Sequence, residues 1–498
     1  MPEYRLRYGV PLLLLALTAT AGCSKKAEAP PEQPQAQIET LPGAVSEIPS
    51  EAAPADRPQT EQDILSIAYA ASSPKARLGA RLYNDNRLSN PGANLAANCR
   101  TCHVPPEASN GRRQFADTTA LSVIPANAFG SKQETIRNAP TLLDVSAESS
   151  FNADGEWTDL REYVAAKLTS THMGWIPGQE DYAKDEIYAL MINDIGQDAL
   201  AEGSFIEQFK TAKGIDLGPM SRDEIFLQVI ESIIDYLDTI QTHNTSAYDA
   251  LAYLNRFDPR LTGPRDTPQA LSGRLFGRIA HQEESDLIRF PQAYTEDAYQ
   301  GLKTFFRVAP STSATPGTAD TKENIGNCVA CHVPPKFSDG KFHNIGITQA
   351  QYDTVHGDAT FAALSVDTPS KNTKARVDAD DATKADLGRW NIDPRDQTFA
   401  AFKTPKLRFP EQTSPYMHNG AYDTLEDAIR QHLHAAELAQ AGTLRNPDPA
   451  LLTINITEQD IPQLAAFLRT LEEVPPEQYQ EYRKANIRPR QNPNAVEE

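Results

Sequence analysis

Two short motifs dictate the layout of this 498-residue chain: Cys99-Arg-Thr-Cys102-His103 and Cys328-Val-Ala-Cys331-His332. A Cys-x-x-Cys pair sets two thiols on one turn, spaced to add to the two vinyl groups of a haem, and the adjacent histidine offers its imidazole to the iron. Zinc and a redox disulfide are the other uses of such a pair. Two copies, each followed by His and then by Val-Pro-Pro, favour covalent haem at both places. The chain therefore has to fold around two c-type haems, and its chemistry is expected to be redox.

The fifth cysteine points to export. Cys23 follows a basic region at Arg5 and Arg7, an apolar run over residues 10–17, and the small residues Ala21 and Gly22. Residues 1–23 read as a lipoprotein signal whose Cys23 becomes the lipidated first residue, with a plain secretory signal as the alternative. No other apolar run is long enough to span a bilayer, so membrane attachment is expected through lipid alone. Ser24 after the cysteine resembles outer-membrane sorting, which gives a lipid-anchored periplasmic protein. The net charge of −20 argues against nucleic acid and is compatible with small basic partners as well as with a merely solvated acidic surface.

Residues 24–60 are rich in Pro, Ala, Glu and Gln and poor in large apolar residues, the composition of a disordered tether. Beyond it, helical spacing runs over residues 61–82, 159–168 and 223–240, and again from Asp460 to Leu471, where Pro462 in the first turn favours Asp460 as N-cap. Nothing alternates over strand lengths. The fold class is mainly α, with two cytochrome c-like haem domains in tandem: residues 61–290, including a helical insertion over 175–290, and residues 291–475, followed by a tail over 476–498.

The halves repeat. Gly79-x-x-Leu82-Tyr83, the first haem motif, Pro140-Thr-Leu142 and Asp154-Gly155 answer to Gly301-x-x-Thr304-Phe305, the second motif, Pro405-Lys-Leu407 and Asn419-Gly420. The second half carries about 36 more residues between its motif and the Asn-Gly pair, all lying between His332 and Phe402.

These segments resemble the bacterial di-haem cytochrome c peroxidases and their relative MauG, which oxidises a partner protein. The likeness is carried by Phe337-Ser-Asp-Gly-Lys-Phe342-His343-Asn344, Phe402-Lys-Thr-Pro405-Lys-Leu-Arg408, Ser414-Pro-Tyr-Met-His-Asn-Gly420 and Thr424-Leu-Glu-Asp-Ala. The resemblance implies that the second haem's far-side ligand lies eight residues after Thr424, at His432, where the peroxidases usually have Met and MauG has Tyr. Met417 and His434 are the competitors. Imidazole on both sides would lower this haem's potential relative to a His/Met pair.

The peroxidases close the first haem with a histidine on a loop after the motif, yet no histidine occurs between His103 and His172. The resemblance then implies an open first haem, as in MauG. The family's distal Glu precedes a Met-Gly pair; here His172 precedes Met173-Gly174, which makes it the acid–base candidate, with Glu162 in reserve. The family's inter-haem tryptophan is replaced by Ala153, leaving Trp157 or Trp175 as substitutes, while Trp390 reads as core. A family calcium site maps to Asn138, Thr413 and Pro415.

The expectation is a periplasmic peroxidase. It would reduce hydrogen peroxide at the N-terminal haem with electrons from a small cytochrome c or cupredoxin relayed through the C-terminal haem. A MauG-like oxidase acting on a protein substrate and a cytochrome that only transfers electrons are the alternatives.

Overall fold

The computed structural model describes residues 73–93, 97–103, 137–258, 266–285, 287–309, 324–366 and 385–484. All fall within one compact unit, residues 58–498. Cys23, the signal and the tether lie outside the described residues, as does the chain just after His103.

The first helix, α1 (Pro74–Tyr83), starts where Ser73 caps the Ala76 amide and Pro74 takes the first helical position. The haem motif forms the four-residue α2 (Cys99–Cys102). Then come α3 (Leu160–Leu168), α4 (Glu180–Asn193), α5 (Phe205–Lys213) and α6 (Arg222–Leu237). Asp159 caps α3 through the Arg161 and Glu162 amides, and Ser221 with Glu224 forms a capping box on α6, so these helices begin within a residue or two of their sequence readings.

The second half contains α7 (Ala247–Asn255), α8 (Pro268–Glu284), α9 (Glu296–Phe306), α10 (Ile347–His356), α11 (Leu425–Gln440), α12 (Ile461–Arg469) and α13 (Pro476–Lys484). Asp460 is the N-cap residue of α12, although its carboxylate turns back to accept from the Thr457 amide at 2.8 Å. The described strands are only β1 (Phe342–His343) and β2 (Phe402–Lys403), antiparallel with Phe342 opposite Lys403. The mainly α class holds. Among the described residues no helix is long and apolar enough to cross a membrane.

The two repeated glycines explain the internal symmetry. A Cβ on Gly79 of α1 would stand 1.9 Å from the Ser232 carbonyl oxygen of α6, and one on Gly301 of α9 would stand 1.9 Å from the Gln463 carbonyl oxygen of α12. Each half is thus built on a close helix crossing that only glycine permits. The pair α1/α6 belongs to one apolar cluster, with Leu82, Leu142, Leu168, Ile233 and Leu237. The pair α9/α12 belongs to another, with Phe305, Val329, Phe337, Leu464 and Phe467.

This division revises the reading of residues 175–290 as an insertion into the first half. Helix α6 is no insertion but the crossing partner of α1, the counterpart of α12. Helices α7 and α8 pack into the second cluster through Tyr248, Leu251, Leu271 and Leu275, so the cores divide before Ala247 rather than at 290. The second core also reaches beyond residue 475, since Tyr482 of α13 packs against it. What remains as an addition is α4 and α5, fastened by Arg81 of α1. Its guanidinium is fully buried, donates to Asp194 at 2.6 Å and to Gln208 at 2.9 Å, and lies 3.7 Å over the Phe205 ring. In the second half Arg408 does similar work, donating to the Pro335 carbonyl at 2.8 Å and to Asp249 of α7 at 2.6 Å. The 36-residue excess after the second motif contributes α10 and a small cluster of Phe361, Leu387, Trp390 and Phe399.

Candidate active site

Asn98 sets the first motif. Its side chain accepts from the Thr101 amide and the Thr101 hydroxyl accepts from its own amide, a capping box that forces the Cys99–Cys102 turn. Both thiols and His103 open onto a cavity of about 390 Å³, walled by Tyr83, Leu142, Val164, Leu168, Ile233 and Leu237. Its polar lining comes from both halves, since Asp386 and Asn391 face it beside Arg137, Asp154, Glu156, Lys167 and His172. Burial pushes the Cys99 thiol up to about 12 and raises Cys102. None of the four motif cysteines is in a disulfide. Burial, reinforced by Lys167, pushes His103 down to about 4, so it is neutral, as an iron ligand must be.

The second motif turns on Asn327, in the left-handed region at φ 51°, into a short 3₁₀ turn over Cys328–Ala330. His332 Nδ1 donates to the Phe337 carbonyl at 2.9 Å, which leaves Nε2 with the lone pair. On α11, His432 repeats the arrangement: its Nδ1 donates to the Ala428 carbonyl at 2.8 Å. Burial lowers both imidazoles, His332 to about 4, and His432 is near enough to His332 to depress it further by charge. His434 is exposed beside Glu437 and turned away from this site. Met417 lies in a turn at φ 73° with its carbonyl accepting from Asn138. Of the three candidates for the far-side ligand, His432 is the one paired with His332.

The donor sets fit covalently held haem at both places: two thiols one turn apart and outside any disulfide, a neutral imidazole next to them and, at the first, a largely apolar cavity between. The second adds a facing imidazole from another helix.

His172 lies in a 3₁₀ turn over Thr171–Met173 and lines the first cavity. The Ser170 hydroxyl donates its proton to the Lys167 carbonyl at 3.0 Å, so at 3.1 Å it must accept from His172 Nδ1–H. That leaves Nε2 as the base. Burial, together with Lys167 and His103, pushes His172 down to about 3. Glu162 does not serve as the reserve. It is exposed in the first turn of α3, whose cavity face carries Tyr163, Val164 and Lys167 instead. Sequence reasoning missed Tyr163 and Lys167; their four-residue spacing on a helix ending near His172 was the available signal.

Asn138 meets the second half directly. Its amide nitrogen lies 2.6 Å from the Pro415 carbonyl oxygen and 2.9 Å from that of Met417, and its backbone N–H donates to the His418 carbonyl. The Thr413 hydroxyl donates to Pro410 within its own turn; the resemblance assigns its backbone carbonyl to the cation. Nearby, Arg137 joins Asp154 and Asp386, both at 2.7 Å, and Phe402 stacks on His418 with ring centres 3.5 Å apart. Where the family has tryptophan, the Ala153 carbonyl accepts from the Lys403 amide. Trp157 pairs its backbone with Phe151, Trp175 is fully buried against Tyr182, and Trp390 packs on Phe399.

The chain is similar to known proteins over most of its length. A family model described as di-haem cytochrome c peroxidase matches residues 73–256. A cytochrome-c peroxidase of Pseudomonas sp. (strain SCT) is 31% identical over 410 residues, covering 81% of this chain and 83% of its own. The methylamine utilization protein MauG of Methylophilus methylotrophus is 24% identical over 401 residues, covering 80% and 82%. Among solved structures, a MauG-like protein associated with microbial copper homeostasis aligns with a TM-score of 0.47 at 21% identity, over 88% of this chain and 96% of that one. The chain belongs to the di-haem cytochrome c peroxidase family and is an oxidoreductase.

Proposed function

We propose that this chain is a lipid-anchored periplasmic peroxidase built as two tandem haem domains. Hydrogen peroxide is reduced at the haem held by Cys99, Cys102 and His103, and electrons arrive through the haem held by Cys328, Cys331 and His332. The reading rests on the asymmetry of the two sites. Around His332 a second neutral imidazole, His432, stands ready on α11, whereas the cavity at His103 holds His172 with its base nitrogen free. Bound haem would supply the iron that takes up peroxide and passes electrons.

The chain's own residues supply the remainder. His103 and His332 hold their haems from the near side, and His432 closes the second. Neutral His172 accepts a proton at Nε2 from the near peroxide oxygen and returns it to the departing one, while Ser170 holds its ring. The apolar walls limit water at the site. Asn138 and the Pro415 carbonyl converge on the junction between halves, and together with Thr413 they are the proposed calcium ligands. An amide turned to present oxygen to those carbonyls needs a cation between them. The electron donor is a small cytochrome c or cupredoxin, drawn by the acidic surface.

The MauG-like alternative, oxidation of a protein partner, is favoured by one feature, a histidine rather than methionine opposite His332. Stopped-flow mixing of the haem-loaded chain with peroxide, followed by turnover with a reduced small cytochrome, tests the proposal. Rapid spectral change and sustained cytochrome oxidation are expected. Reaction with peroxide but no oxidation of any small donor would turn the reading to the MauG-like alternative, and no reaction at all would leave electron transfer only.

A further inference from the structure

One charged group at the first cavity has no structural employment. The buried cations Arg81, Arg137, Lys406 and Arg408 are each matched with carboxylates: Arg81 with Asp194, Arg137 with Asp154 and Asp386, Lys406 with Glu148, Arg408 with Asp249. The ammonium of Lys167, on the cavity face of α3, makes no ion pair or hydrogen bond among the described residues. Its nearest stabilising contact is the Tyr163 ring one turn earlier, 5.2 Å from the ammonium to the ring centre. Asp154, the carboxylate that could neutralise it, is already held by Arg137 at 2.7 Å.

A largely buried ammonium with no direct ion pair is costly, and an anion received beside it offsets that cost. Burial pushes Lys167 down to about 8, so it still carries its proton for most of the time at neutral pH. Its neighbours fix its place. It lines the same cavity as His103 and His172, and its charge lowers both. The Lys167 carbonyl also receives the Ser170 hydroxyl that contacts the His172 ring.

We propose that Lys167 is the cation of an anion pocket on the ligand-binding side of the first haem, where it attracts and orients small anions, hydroperoxide among them in turnover. Tyr163 supports the ammonium from below, and its phenol is tied to Asn152 at 2.9 Å. The assignment rests on the peroxidatic reading of the His103 site. The competing anion is a haem propionate, which would occupy Lys167 permanently and leave it no part in binding added ligands.

The test uses the full haem-loaded ferric chain, titrated at pH 7 with fluoride as an anion and imidazole as a neutral ligand, each followed by absorbance. Lys167→Gln should weaken fluoride about tenfold, Lys167→Arg should stay within about threefold of the parent, and imidazole affinity should be unchanged in both. Retained imidazole binding also shows that the Gln variant keeps its site folded. Equal fluoride affinity in parent and Lys167→Gln overturns the proposal in favour of a propionate partner. A parent low-spin spectrum that turns high-spin in Lys167→Gln overturns it by making Lys167 an iron ligand. A parent that binds neither ligand and whose spectrum the substitution leaves unaltered overturns the peroxidatic reading and, with it, this assignment.

Discussion

Replacing Gly301 with alanine tests whether the repeated glycine is what builds each half. The added Cβ would lie 1.9 Å from the Gln463 carbonyl oxygen and 2.9 Å from Phe467 Cβ, both fixed parts of α12. Restoring a tolerable separation of 3.0–3.4 Å requires α9 and α12 to part by about 1.1–1.5 Å. A gap of that order forfeits roughly a quarter to a half of each dispersion contact across the interface, where Ala298, Leu302 and Phe305 meet Leu464, Phe467 and Leu468. Overpacking of this kind costs about 3 kcal/mol or more, against roughly 1 kcal/mol regained from alanine's helix preference. A net loss of about 2–3 kcal/mol is expected from urea unfolding followed by circular dichroism. Gly277 on α8 is the control, because a Cβ there meets nothing within 4 Å, and Gly277→Ala should stabilise by about 0.5–1 kcal/mol. If the two substitutions shift the unfolding midpoint alike, the close crossing is not what holds this half together. Gly79→Ala should reproduce the loss in the first half.

Four further outcomes follow. His172→Ala should slow the reaction with peroxide by about 10²–10⁴-fold while leaving both haems attached, as checked by stopped flow and the haem spectrum. His432→Met should raise the potential of the second haem by on the order of 0.1 V or more in a redox titration, a fraction of the roughly 0.8 V that axial ligands command. Asn138→Ala should lower the melting temperature and abolish any further fall produced by a calcium chelator, both followed by thermal unfolding. Glu472 is raised to about 7 by burial, with Glu411 and Glu473 adding, against an ordinary 4.5. A carboxyl raised on folding gives its full stability below the unfolded value and loses it as pH rises through the folded one. Glu472→Gln should therefore match the parent near pH 4 and exceed it by about 2–3 kcal/mol at pH 8, compared by urea midpoint.

The haem motifs were legible because their chemistry is local: two thiols and an imidazole within five residues need no tertiary knowledge. The starts of α3 and α6 were legible for a similar reason, since the side chains of Asp159 and Ser221 cap first-turn amides, and that of α12 because Pro462 fits only a first turn. The family likeness led to His432, and the α11 geometry turns His434 out to solvent. The role of α6 was not legible, because an amphipathic helix does not announce which glycine it will cross. Nor was the allegiance of α7 and α8, whose apolar faces would serve either core. At the first cavity the family pattern drew attention to carboxylates and passed over Lys167. Glu162 was chosen by residue type and excluded by helix phase.

The central claim is that one haem is open and the other closed, and the electron paramagnetic resonance spectrum of the untreated ferric protein tests it most directly. The account predicts one high-spin signal, from the His103 haem, beside one low-spin signal with two imidazole ligands, and it predicts that His432→Ala converts only the second. Two low-spin signals in the resting protein would contradict it.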